Sequence, residues 1–308
     1  KSSLQALQLK YAPFGFGLPF GAGFGADEKD SKNNIMNVYQ GGLTLGQKEY
    51  YLDNDDATTK IPEEYKKYVV RMFRLFGFSW GEATAKMEAI MRIETQYAIA
   101  SKSKTELRDV EKNYNKMSLS DFEKNYPNLR FTQIENAEGV KTEYIQNLVV
   151  GQPEFLAAAD KVVAMMTADE LRAVMEWDVI NGSTSLLSDE LASASFDFYG
   201  KIISGRKQDY ERWKKATSMV ESVLGQALGK MYCERYFPES SKTRMKTLVA
   251  NLQTSLGERI MAQEWMSEDT KKAALDKLST FYVKIGYPDK WKDMSGLQID
   301  PAKSLYEN

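Results

Sequence analysis

Two hydrophobic periods divide this chain. Over residues 14–25 (FGFGLPFGAGFG) aromatic side chains alternate with glycine, and residues 33–40 (NNIMNVYQ) form a second short apolar run. Charged, turn-prone residues 26–32 lie between them, so the pattern predicts two strands joined by a loop. Gly41-Gly42 ends the second strand, and residues 46–56 read as irregular chain. From Pro62, which suits a first helical position, the period lengthens. Tyr65, Val69, Met72, Phe73 and Phe76 form one stripe, which Gly77 stops. Residues 82–100 place Ala83, Met87, Ile90, Met91, Glu94 and Ala98 at helical spacing.

The same period predicts helices over residues 152–166, 167–180, 188–203 and 209–236, the last ending before Pro238. Ser103 with Glu106 and Thr167 with Glu170 fit capping boxes. A further helix carries Met245, Leu248, Val249, Leu252, Leu256 and Ile260 on one face. Ser267 caps another, with Glu268 and Asp269 in its first turn, where carboxylates suit the helix dipole. Tyr282-Val283-Lys284-Ile285 predicts a short strand before Gly286. The expected fold is mainly α: a multi-helix lobe with a short β-hairpin-like segment near the N-terminus. Three stretches follow: a strand and loop segment (1–60), a helical lobe (61–208) and long helices (209–308). No period of solenoid length recurs.

Composition narrows the function classes. With 41 basic and 43 acidic side chains the 308 residues carry a net charge of −2, and no basic block marks a nucleic-acid surface. Apolar runs are too short and too interrupted by charge to span a membrane. Cys233 is the single cysteine, so no internal disulfide forms. That fits a reducing compartment and equally a periplasmic protein built without disulfides. The first residues have no signal-peptide architecture.

Candidate chemistry is sparse. The chain has no histidine, so it cannot hold the H-E-x-x-H zinc helix of a metallopeptidase. No EF-hand spacing of carboxylates occurs. Residues 21–26 (GAGFGA) match a loose dinucleotide pattern, but that fingerprint must open a helix, and here a turn and a second strand follow. Asp27/Glu28, Asp55/Asp56 and Asp189/Glu190 are paired carboxylates of the kind that mostly form solvated turns or helix starts, not a glycosidase pair. Cys233 has no histidine to activate it and reads as a buried thiol. No catalytic and no metal-ligating residue is assigned; substrate-binding residues are left open.

A series of short motifs, in order, carries a resemblance. Gly25-Ala26-Asp27-Glu28-Lys29-Asp30-Ser31 is followed by Gln40-Gly41-Gly42-Leu43 and Tyr50-Tyr51-Leu52. Next come Ile93-Glu94-Thr95 with Ala98, then Tyr114-Asn115-Lys116-Met117-Ser118. Trp177, Phe196, Tyr199, Ser204-Gly205, Arg212-Trp213-Lys214, Leu228-Gly229-Lys230-Met231-Tyr232 and Tyr236-Phe237-Pro238 continue the series. The most specific block lies in residues 264–300. It holds Trp265-Met266-Ser267, Thr270-Lys271-Lys272-Ala273, Lys277-Leu278 and Lys284-Ile285-Gly286-Tyr287-Pro288-Asp289. Together they resemble the N-terminal region of the neprilysin-like zinc metallopeptidases (neprilysin, endothelin-converting enzyme and bacterial endopeptidase O). Two departures stand out: Gly46 where the family often has proline, and Cys233 at a usually small apolar position. Vertebrate members carry many paired cysteines, so their absence points to a bacterial, disulfide-free branch.

The resemblance implies a two-lobed zinc endopeptidase enclosing a chamber, with peptides as substrates. A C-terminal catalytic domain of the same polypeptide would supply the zinc ligands, downstream of the last residue here. This stretch would then be the non-catalytic part that encloses the chamber and limits substrate size. It would be inactive alone and hold no zinc, and its start would lie inside the parent protein. A bacterial periplasmic, cell-envelope or extracellular location follows from the resemblance. Two other readings stay open: a peptide-binding scaffold that kept the fold and lost the zinc site, and a free-standing helical adaptor.

Overall fold

The computed structural model describes residues 1–14, 18–53 and 60–303. It is 63% helical with one small sheet, which makes the fold mainly α as expected. The chain divides into two compact units, Lys1–Asp209 and Tyr210–Asn308.

The first unit opens with α1 (Ser2–Tyr11), then the hairpin β1 (Phe20–Asp27) and β2 (Asp30–Gln40). The predicted hairpin is present with a tighter turn; β2 is longer than expected, whereas β1 starts at Phe20, Phe14 belongs to a short 3-10 turn (Ala12–Phe14), and residues 15–17 lie outside the described residues. Glycine in β1 admits a neighbouring ring: Gly21 pairs with Tyr39, and an added Cβ would lie 2.2 Å from Tyr39 Cε2. A short α2 (Glu49–Leu52) interrupts the stretch expected to be irregular. The helices α3 (Lys60–Leu75) and α4 (Trp80–Ala100) follow. Gly77, at φ 90°, ends the first of these, leaving Phe76 beyond the last turn and exposed.

Next come β3 (Asn115–Ser118), α5 (Leu119–Asn125), α6 (Phe131–Ala137) and β4 (Asn147–Val150). The sheet order is β1-β2-β4-β3: β2 and β4 run parallel, and the other two pairs are antiparallel. The unit closes with α7 (Pro153–Met165), α8 (Ala168–Ser183) and α9 (Asp189–Ser195). The last of these passes into a π-helical turn, Phe196–Ile203, where sequence periodicity predicted one continuous helix. In that turn the Phe196 ring occupies the place a Cβ on Gly200 would take, and Phe198 stacks on Tyr68 at 4.9 Å.

Two hydrophobic cores fill this unit, and α4 serves both. Ile93 and Tyr97 join Phe20, Met36, Val38, Phe122, Phe131, Leu148 and Phe155 under the sheet. Ala83 and Ile90 join Tyr65, Tyr68, Met72, Phe73, Trp177 and Phe198 between the helices. Buried positions Ile90, Ile93, Glu94, Tyr97 and Ala98 trace one broad stripe of α4. Its start is held by a full capping box, in which Ser79 Oγ accepts from Glu82 N–H and Glu82 accepts from Ser79 N–H.

The second unit holds α10 (Arg212–Tyr236), α11 (Glu239–Met261) and α12 (Glu268–Ser279). All three follow the predicted periodicity; α10 is kinked at Leu224. Ser267 Oγ caps α12 by accepting from Thr270 N–H. Residues 281–285 adopt no regular structure, so the strand expected at Tyr282 to Ile285 is corrected. Alternating apolar residues make a strand only with a pairing partner, and Tyr282 is 80% exposed. Of the predicted apolar face of α11, Met245, Leu248, Leu252 and Leu256 are exposed, and Val249 and Ile260 are half-buried.

Candidate functional site

Glu94 is the one carboxylate on the buried stripe of α4, and three hydroxyls converge on it. Thr44 Oγ1 donates to Oε1 at 2.5 Å, Tyr65 OH to Oε1 at 3.1 Å, and Tyr51 OH to Oε2 at 2.7 Å. The directions are forced. Trp177 Nε1–H can only donate, and it donates to Thr44 Oγ1 at 3.2 Å, so the single Thr44 proton goes to Glu94. Leu45 N–H likewise donates to Tyr51 OH at 3.0 Å, which turns the tyrosine proton toward the carboxylate.

The loop that brings Thr44 and Leu45 here turns at Gly42, whose φ of 74° favours glycine. Burial pushes Glu94 up to about 7, against the three hydroxyls that favour its charged form; the neighbouring Asp178 adds to the rise. Burial first, and the Glu94 charge second, raise Tyr51 and Tyr65, which therefore remain donors.

Glu94 lines a cavity of about 420 Å3 inside the first unit, with Thr44, Trp177, Asp178 and Asn181. Arg130 lines the same cavity. It is the non-glycine residue with positive φ (53°) among the described residues, at the junction of the 127–129 turn and α6. Its guanidinium donates to the Gln5 carbonyl at 3.4 Å and to Gln8 Oε1, both from α1. Among the described residues no carboxylate lies within ion-pair distance of it. Sequence reasoning placed Glu94 on a helix face and gave it no role. A carboxylate on an apolar stripe was the available signal. Nothing in the sequence marked Arg130.

The paired carboxylates separate. Asp27 is not a solvated turn residue: Lys116 Nζ and Tyr114 OH each lie 2.7 Å from its oxygens, and Lys29 N–H donates at 3.0 Å. These donors, the lysine foremost, hold its carboxyl at about 2. The reason is the sheet, which brings β3 beside the hairpin end across 87 residues or more of chain. Asp189 and Glu190 occupy the first turn of α9, a helix start as expected. Asp55 and Asp56 lie outside the described residues. The glycines of residues 21–26 sit within β1 and open no helix. Cys233 is half-buried on α10, which corrects its reading as a buried thiol: this helix buries no residue fully.

The donor set does not fit zinc. The chain has no histidine, and among the described residues no three His, Cys, Asp or Glu side chains are grouped to hold a metal ion. No helix of the described residues is long and apolar enough to cross a membrane.

Comparison with known proteins places this architecture. The chain is 30% identical over 303 residues to the neutral endopeptidase of Lactobacillus helveticus, covering 95% of this chain and 45% of that protein. It is 28% identical over 268 residues to endothelin-converting enzyme 1 of Bos taurus, covering 86% of this chain and 35% of that one. Its structure matches the Mycobacterium tuberculosis zinc metalloprotease Zmp1 in complex with inhibitor. That match has a TM-score of 0.87 and 30% identity, over 96% of this chain and 44% of the other. The open state of the same protease matches with a TM-score of 0.84, over 96% and 46%. The chain thus spans less than half the length of these relatives. A model of the N-terminal region of peptidase family M13 matches residues 1–288, and the chain belongs to that neprilysin-like family.

Proposed function

We propose that this chain is the non-catalytic N-terminal part of a zinc metalloendopeptidase, and that it helps enclose the chamber in which peptides are cut. The family match over residues 1–288 carries this reading, in a chain without histidine that covers 45% of a bacterial neutral endopeptidase. Its contribution to catalysis is exclusion and positioning, with no bond-breaking group of its own. The partner is a C-terminal catalytic domain of the same polypeptide, which supplies the zinc ligands. The exposed apolar faces of α10 and α11 suit such a partner. A bacterial location in the periplasm, cell envelope or extracellular space accords with the bacterial relatives and the single cysteine.

The test compares the chain alone with the polypeptide encoded through the region beyond it. The longer protein is expected to cleave an unstructured peptide, lose activity to a chelator and leave a folded protein of the same sequence intact. The chain alone is expected to show neither activity nor stoichiometric zinc after dialysis. Zinc-dependent hydrolysis by the chain alone, or a downstream region without H-E-x-x-H, would overturn the reading.

A further inference from the structure

Four ionisable side chains line the cavity of the first unit, Lys1, Glu94, Arg130 and Asp178; Lys1 Nζ donates to the Val163 and Ala164 carbonyls, and among the described residues neither Glu94 nor Arg130 forms an ion pair. Among the described residues Glu94 receives three hydroxyl protons and meets no lysine or arginine. Two of its four acceptor positions are taken on Oε1 and one on Oε2, so one position on Oε2 remains. Among the described residues Arg130 uses two of its five N–H donors, both on neutral oxygens of α1. Burial of a charge without a counter-charge is unfavourable, and Arg130 also holds a left-handed backbone that a side chain seldom adopts. The two groups arrive on different elements, α4 and the turn before α6, yet line one space with apolar Ile90, Ile93, Leu171 and Val174.

We infer that this cavity binds a small zwitterion with an apolar body, a free apolar amino acid or a dipeptide. Its ammonium would meet Glu94 Oε2 and its carboxylate the unused donors of Arg130. Charge-assisted contacts of this kind are the strong polar ones, and a guanidinium fork suits a carboxylate. A volume of about 420 Å3 falls within the range of ordinary small-molecule sites. Asp178, on the same wall, adds negative potential beside Glu94 and favours the ammonium further. Nothing in the peptidase reading is required, because the site lies wholly within the first unit and uses none of the zinc chemistry.

Calorimetry on the full-length protein tests this with four probes: L-leucine, Leu-Leu, N-acetyl-leucine and leucinamide. Leucine or Leu-Leu is expected to bind, and which of the two binds tighter reports the span between the charges. Acetylation removes the ammonium and amidation the carboxylate, and each is expected to weaken binding at least tenfold. Arg130→Gln is expected to abolish the preference for leucine over leucinamide. Glu94→Gln is expected to abolish the preference over N-acetyl-leucine. A melting temperature and circular dichroism spectrum close to wild type show that each variant is folded; should Glu94→Gln fail there, the Arg130→Gln and leucinamide arms decide alone. No binding of either zwitterion at millimolar concentration, or equal binding of all four probes, would overturn the inference and leave a water-filled structural void. Loss of peptidase activity with this binding intact would instead count against the proposed function.

Discussion

Glu94 and Asp27 show one residue type driven in opposite directions by its surroundings. Glu94 is displaced upward to about 7 by burial, and the groups facing it are Tyr51, Tyr65, Tyr97, Asp178 and Tyr199, none of them cationic. Its folded form binds a proton more tightly than the unfolded chain does. The resulting stabilisation is complete below about pH 4.5 and is lost as pH rises through about 7. Wild type measured against Glu94→Gln should therefore lose ground between pH 4 and 8, by on the order of 3 kcal/mol in chemical denaturation. A difference that stays flat with pH would refute this. Asp27, held at about 2, contributes with the reverse sign: its stabilisation is present above about pH 4 and is lost as pH falls through about 2. Lys116→Met removes the largest cause, so the Asp27 carboxyl should titrate closer to 3.8, as carbonyl-carbon NMR would register.

Elements respond to their ends and turns. The α4 helix carries Glu94 and serves both cores, so its start matters to the whole first unit. Ser79→Ala removes the hydroxyl that accepts from Glu82 N–H and should destabilise by about 1 kcal/mol, read from thermal or urea unfolding. The loop over residues 41–48 depends on Gly42. A Cβ there would stand 3.1 Å from Tyr97 Cδ2 and 3.2 Å from Pro19 Cα at a φ of 74°. Gly42→Ala should cost about 1–3 kcal/mol and move Thr44 away from Trp177 Nε1. A shift in Trp177 fluorescence should accompany the stability loss; unchanged emission and stability would show that the loop tolerates the side chain.

Across the molecule the two units differ in what they bury. The first holds two hydrophobic cores of buried residues, whereas α10 and α12 bury no residue fully and α11 buries Lys242, whose ammonium reaches Asp289 at 2.8 Å and the Tyr287 carbonyl at 2.9 Å. Apolar side chains left in water at helical spacing favour association. The chain without a partner domain should self-associate at micromolar concentration in sedimentation velocity. Leu248→Lys with Leu252→Lys should shift it toward monomer without loss of helix, since lysine is as good a helix former as leucine. A wild-type chain that stays monomeric would argue against an α11 docking face.

Helix positions in this chain were legible because apolar spacing, capping pairs such as Thr167 with Glu170, and stops such as Gly77 are local, and local rules suffice for them. The family was legible for the same reason, through short motifs in a fixed order. Sheet membership was not: β4 joins β2 in parallel across more than a hundred residues, and four-residue β3 and β4 carry too little period to announce themselves. Nor could any pattern show that Thr44, Tyr51, Tyr65 and Trp177 meet around Glu94, or that Arg130 lines the same cavity. Periodicity assigns a residue to a face of its own element. Which charged groups share a low-dielectric space, and therefore which of them titrate abnormally, depends on packing between elements distant in the chain.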